Sequence, residues 1–241
     1  MHSSAGSATG RRGRWLVLVA LVLAALALLV ALAELATEEG GPLKVEVSGG
    51  NDAQRIFGGL RQEGDRLGDP EAPVTIQVFN DVQCGNCSEQ FMATVPALVD
   101  ELVRSDRAQL LYRHYGFGPR PVELGFIAAD AAGLQGYLWQ YVYLFFANQD
   151  EAERVGIDED FLEALAASIG ELDVPEWKED FERGREPGSA IQGRLERRDE
   201  IARDLGLRAE PSAIVSGPGG TEVLQDSPGL SAIMAAVGRV E

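Results

Sequence analysis

The stretch Phe79-Asn80-Asp81-Val82-Gln83-Cys84-Gly85-Asn86-Cys87-Ser88-Glu89-Gln90-Phe91 holds both cysteines of the 241-residue chain. Ahead of it Val74, Ile76 and Val78 alternate with Thr75 and Gln77 as in a strand, and Phe79 continues the apolar run. Behind it Phe91, Val95, Leu98 and Leu102 recur at helical spacing. The thiols therefore sit where a strand runs into a helix, spaced to close a disulfide within one turn. Unpaired backbone N–H groups and the positive end of the helix dipole favour an anion there. Cys84 is thus expected to ionise more readily than a free cysteine, and a thiolate is the species that attacks disulfides.

Three other uses of the pair have to be weighed. A structural zinc site takes about four ligands, and beyond these thiols the chain has only His2 and His114 among histidines and no further cysteine. A purely structural disulfide over so short a loop would remove little chain entropy. Two inert buried thiols would use neither the spacing nor the helix start. A redox pair uses both, with no metal and no cofactor.

The lead-in Leu67-Gly68-Asp69-Pro70-Glu71-Ala72-Pro73-Val74-Thr75-Ile76, followed by Phe79, Asp81 and Cys84-x-x-Cys87, resembles the opening of DsbA-like thiol:disulfide oxidoreductases of the thioredoxin superfamily. The resemblance runs over residues 66–241. It implies an α/β fold, thioredoxin-like with an inserted helical domain, and an exchange of disulfides with cysteine-containing secreted or membrane proteins. It also implies a membrane redox partner that reoxidises or reduces the pair.

The rest of the chain fits that order of elements. Ala108 to Tyr115 reads as a second strand ending at Gly116. His114, on that strand, is expected to be structural rather than an acid or base. Val122 to Asn148 is apolar over too long a run for a strand and reads as one long buried helix or two, with Tyr137, Trp139, Tyr141, Tyr143, Phe145 and Phe146 filling a core. Helices follow at Asp160–Ile169, Pro175–Arg183 and Ser189–Leu205, so the helical insertion covers about residues 121–205. Ser212–Val215 and Thr221–Leu224 form a hairpin signal across a Gly-Pro turn. Ser227 as N-cap and Pro228 at the first position open a last helix. Pro96 is expected to kink or interrupt the active-site helix.

Pro211 falls where the family resembled places a cis-proline loop opposite the disulfide, which makes Glu210-Pro211 a cis bond by that resemblance. Glu210, Pro211, Gly85 and Asn86 are then the residues expected to bind substrate and tune Cys84 and Cys87. Glu210 and the Gly85-Asn86 dipeptide depart from the family's usual choices. A carboxylate facing the Cys84 sulfur would disfavour its thiolate and make the protein a weaker oxidant, whereas a Glu210 turned to water or paired with Arg208 would leave the sulfur untouched.

Trp15 to Ala33 is an unbroken apolar run. At about 1.5 Å per helical residue it approaches the roughly 30 Å hydrocarbon core. Arg11, Arg12 and Arg14 precede it and Glu34, Glu38 and Glu39 follow, so residues 1–14 are expected in the cytoplasm and the remainder outside. The expected organisation is a cytoplasmic tail at 1–14, a single transmembrane anchor at 15–33, a tether at 34–65 and the catalytic domain at 66–241. Ala31-Leu32-Ala33 also resembles a signal-peptide cleavage site. Either reading exports the thiols to an oxidising compartment. Leu43 to Val47 reads as one short edge strand, and residues 43–60 read equally as a tether or as an N-terminal strand packed on the domain. The net charge of -17 excludes a phosphate-neutralising surface and hence a nucleic-acid partner. The acidic stretch from Glu151 to Glu186 is most simply a solvated helical face. A redox-inert, membrane-tethered module holding peptide beside Pro211 is the alternative function, and the intact thiol pair argues against it.

Overall fold

The computed structural model describes residues 45–116 and 123–241. The expected tail at 1–14, the anchor at 15–33 and the start of the tether lie outside the described residues. Among the described residues no helix is long and apolar enough to cross a membrane.

A six-stranded sheet in the order β1-β2-β4-β3-β5-β6 carries the site. Its centre is β3 (Val74–Asn80), whose Val74, Ile76 and Val78 are buried while Thr75 and Gln77 are half-buried. β4 (Ala108–His114) runs parallel to β3, whereas β5 (Ser212–Gly217) runs antiparallel to it and β6 (Gly220–Leu224) extends the hairpin. Two short strands that the sequence did not announce, β1 (Gln62–Glu63) and β2 (Arg66–Leu67), form a small hairpin that adds antiparallel to β4. The parallel β3–β4 crossover is the helix α2 (Gly85–Leu98).

Pro96 does not break α2. The helix runs through it and widens into a π-helical segment at Val99–Val103. Pro96 has no N–H to donate back along the helix, and the change of winding follows within one turn.

Between β4 and β5 lie α3 (Glu123–Leu134), α4 (Leu138–Ala147), α5 (Gln149–Val155), α6 (Glu159–Ala167), α7 (Val174–Arg185) and α8 (Ala190–Asp204), the expected helical insertion. The apolar run from Val122 to Asn148 is thus two helices, parted at Gly136, whose φ of 82° suits a residue without a Cβ. The aromatic cluster is mostly core. Phe91 of α2 lies 4.9 Å ring-to-ring from Phe146 and stacks on Trp139 at 6.3 Å, so the insertion supplies the floor on which the helix after the cysteine turn rests. On the other sheet face Phe79, Tyr115, Ala202, Leu207 and Ile214 form a smaller cluster.

The described part of the expected tether, residues 45–65, is packed on the domain. Helix α1 (Gly50–Phe57) buries Ala53, Ile56 and Phe57, and Asn148 both accepts from Ser48 N at 2.9 Å and donates to Ser48 O at 3.0 Å. Residues 45–47 form no strand. Helix α9 (Leu230–Val240) starts later than its sequence suggests. Its N-cap is Gly229, and Ser227 sits at φ 58° with its N–H donated to Pro211 O at 3.0 Å. A tertiary tie to the Pro211 loop has overridden the local capping signal.

Ion pairs occupy much of the acidic stretch: Lys178 pairs with Glu163, Arg185 with Glu159 and Glu182, and Arg154 with Glu151. These side chains are largely exposed, which fits a solvated face.

Candidate active site

Asp81 builds the turn between β3 and α2. Its carboxylate accepts from Gln83 N at 2.9 Å and its carbonyl from Cys84 N at 3.1 Å, the hydrogen bonds of an Asx turn. Cys84 follows as the N-cap of α2, with extended backbone, and its Sγ accepts from Cys87 N at 3.3 Å. Cys84 is half-buried and Cys87 fully buried, and both are free thiols. The more accessible sulfur thus lies at the helix start with the second thiol behind it, one turn in.

The two thiols have different surroundings. Burial pushes the Cys87 thiol well above its ordinary range. Its hydrogen bond to Cys84 adds to this, a backbone hydrogen bond at Asp81 opposes it, and the charges of Cys84 and Glu210 add smaller upward contributions. Cys87 therefore stays protonated until something removes its proton.

Glu210-Pro211 is a cis peptide bond. Ser212, the next residue, pairs with Phe79 across β3 and β5, so the register brings the Glu210-Pro211 loop beside the turn that carries Asp81. Gly116 shows how close: a Cβ there would meet the carboxylates of both Asp81 and Glu210. The Glu210 charge adds to the upward shift of the Cys87 thiol. Gly85 and Asn86 are exposed, and a Cβ on Gly85 would meet nothing within 4 Å, so the surface over the cysteine pair is open there.

Gln149 was not foreseen. Its Nε2 donates to Val82 O at 2.6 Å and to Cys84 O at 3.4 Å, clipping the cysteine turn to α5 of the insertion. Ser88 makes a second tie, donating to Phe146 O at 3.2 Å. A glutamine just after a buried aromatic helix carries no sequence signal for this, because the contact spans 67 positions. Gly125 allows α3 to close on the same turn, since a Cβ there would lie 3.2 Å from Val82 and 3.0 Å from Phe145.

His114 takes no part in the site. It is buried against Phe126, ring centroids 4.5 Å apart, with Nε2 3.3 Å from Asp130 Oδ1 but off the line of a good hydrogen bond. Burial lowers its pKa to about 4, against the opposing pull of Asp130. Asp130 in turn accepts from Arg198 at 2.9 Å and Arg194 at 3.2 Å, an ionic cluster that joins α3 and α8 beneath β4. Among the described residues no group of three or more His, Cys, Asp or Glu side chains is placed to hold a metal ion.

A family model described as thioredoxin matches residues 61–223. The chain is 25% identical over 154 residues to the probable disulfide bond formation protein D of Bacillus cereus, covering 63% of this chain and 69% of that one. Among solved structures, oxidised BdbD from Bacillus subtilis superposes with a TM-score of 0.61 at 17% identity, over 73% of this chain and 91% of that one. A thioredoxin-like oxidoreductase from Silicibacter pomeroyi gives a TM-score of 0.56 at 23% identity, over 77% and 95%. With a family model spanning most of its described length and the cysteine turn at the end of β3, the chain belongs to the thioredoxin family, as a DsbA-like thiol:disulfide oxidoreductase.

Proposed function

We propose that Cys84 and Cys87 are the redox pair of this enzyme, that Cys84 is the exchanging sulfur, and that the domain works outside the cytoplasm on secreted or membrane proteins. The observation that carries this reading is the contrast between a half-exposed Cys84 at the helix N-cap and a buried, strongly protonated Cys87 one turn behind it. In the oxidising direction a substrate thiolate attacks Cys84 Sγ of the oxidised pair. The Cys84–Cys87 bond breaks, its electron pair goes to Cys87 Sγ, and that sulfur takes up a proton. A second substrate thiolate then attacks its own sulfur in the mixed disulfide and leaves the electrons on Cys84. The substrate has lost two electrons and the protein has gained them, to pass to a membrane partner.

Oxidation is the favoured direction because the Bacillus relative is named for disulfide bond formation. The arginines at 11, 12 and 14 before the apolar run support export. Refolding of a reduced, unfolded substrate by the oxidised protein tests the direction, and turnover only in the reduction of insulin would reverse it. A membrane-impermeant maleimide should label reduced Cys84 in intact cells. Labelling only after lysis would place the thiols inside.

A further inference from the structure

A pocket of about 390 Å³ opens directly beside Cys84. Leu124, Phe145 and Ile157 line it with apolar surface, while Gln83, Gly85 and Glu153 also contribute to its walls. None of its lining comes from the Glu210-Pro211 loop. The cavity lies between the cysteine turn and the helical insertion, where Gln149 clips one to the other. Its volume is near the low end for ligand sites, room for one or two side chains rather than for a folded partner.

Three features fix what fits. The residues on both sides of Cys84, Gln83 and Gly85, are part of the lining, so a side chain that fills the pocket lies close to Cys84. Because Gly85 has no side chain, a peptide backbone meets open space there. Glu153 is exposed, and its carboxylate makes no ion pair or hydrogen bond among the described residues, unlike the nearby Glu151, which is held by Arg154 and by Glu46 N.

We infer that this pocket, on the insertion side of the cysteine turn, is a substrate subsite that seats an aliphatic side chain close to the reacting cysteine of an unfolded polypeptide, with Glu153 favouring a basic neighbour. The inference rests on the assignment of Cys84 as the exchanging sulfur. Its consequence is selectivity for reduced chains whose cysteines lie beside exposed apolar and basic residues, which in a folded protein are mostly covered or dispersed.

The test uses the full chain carrying Cys87→Ser and short peptides whose single cysteine is bonded to thionitrobenzoate. Cys84 thiolate attacks the peptide sulfur, the bond to thionitrobenzoate breaks, and the coloured thionitrobenzoate leaves with the electron pair. Each rate is divided by the rate of the same protein with Ellman's reagent, which needs no subsite. A peptide with leucine beside the cysteine and arginine beyond it should react about tenfold faster than its glycine and glutamate counterpart, the order expected of one apolar pocket. Glu153→Lys should reverse the preference for arginine over glutamate, and Ile157→Ser should shrink that for leucine. Equal normalised rates for all peptides would overturn the subsite while leaving the thiol assignment standing. Failure of Cys84 to react with Ellman's reagent would overturn both. Glu153 is exposed, so the charge reversal is readable even where Ile157→Ser disturbs packing.

Discussion

Replacing His114 with glutamine should remove a large part of the protein's sensitivity to mild acid. In the unfolded chain the imidazole titrates at its ordinary value of 6.5, whereas in the fold burial takes it down to about 4. The groups facing it are Asp130 from α3, Arg198 from α8 and Asp65 from the β1–β2 turn, with Arg194 of α8 on the far side of Asp130. Because the folded value is depressed, the unfolded state takes up the proton first, and stability falls as pH drops from 6.5 through 4. Above 6.5 the group contributes no slope. From pH 7.5 to 4.5 this one residue should cost about 2.5 kcal/mol of unfolding free energy. Asp130 is held well below the usual carboxylate range by Arg198 and His114, against the effect of its own burial. It titrates in the unfolded chain near 3.8, so its loss comes mostly below that window. Urea unfolding followed by tryptophan fluorescence at the two pH values measures the difference. The wild type should lose about 2.5 kcal/mol more than His114→Gln on going to pH 4.5, and equal losses in the two proteins would refute the account of a buried neutral imidazole.

Other substitutions test the site itself. Cys87→Ser should accumulate mixed disulfides with substrates and Cys84→Ser none, as read on non-reducing gels; trapping by Cys84→Ser alone would invert the assignment. Glu210→Val removes a charge that raises the Cys87 thiol, and each unit by which Cys87 falls should speed resolution of the mixed disulfide about threefold, since the gain in thiolate outweighs the loss of nucleophilicity. If the same carboxylate also reaches the Cys84 thiolate, the change should raise the reduction potential by up to about 30 mV, which corresponds to about 1.4 kcal/mol for a two-electron couple; an unchanged potential would confine its effect to Cys87, which is neutral when reduced. Gln149→Ala leaves Val82 O without its donor, so it should cost about 1–3 kcal/mol of stability and speed hydrogen exchange at Cys84 and Gly85, a local effect that a general loss of packing would not confine to the cysteine turn.

Much of this arrangement was legible because it is local. The period of Val74, Ile76 and Val78, the helical spacing of Phe91, Val95 and Leu98, and the two cysteines between them place the site on a strand-to-helix turn without any long-range information. The parts that were missed depend on distant partners. Ala53, Ile56 and Phe57 recur at helical spacing, which was the available signal for a helix at residues 50–57, but among glycines and charged residues that stretch read as either a tether or a packed strand. Strands of two residues such as β1 and β2 have too few positions to show a period. Ser227 carries a good capping side chain, yet its N–H is used by Pro211 O, a contact that exists only once the hairpin and the last helix are in place. That Glu210 also lies close enough to raise the buried Cys87 thiol shows only once Ser212 pairs with Phe79 and the loop comes beside Asp81.

The central claim, that Cys84 and Cys87 form one exchanging couple, is tested most directly by equilibrating the protein across a series of glutathione redox buffers and counting free thiols by alkylation. The account predicts a single two-electron transition in which both thiols disappear together with no gain of glutathione mass, whereas Cys87→Ser loses its one thiol only as a glutathione adduct. Thiols that remain free at every buffer ratio, or thiols lost in the wild type only as glutathione adducts, would contradict it.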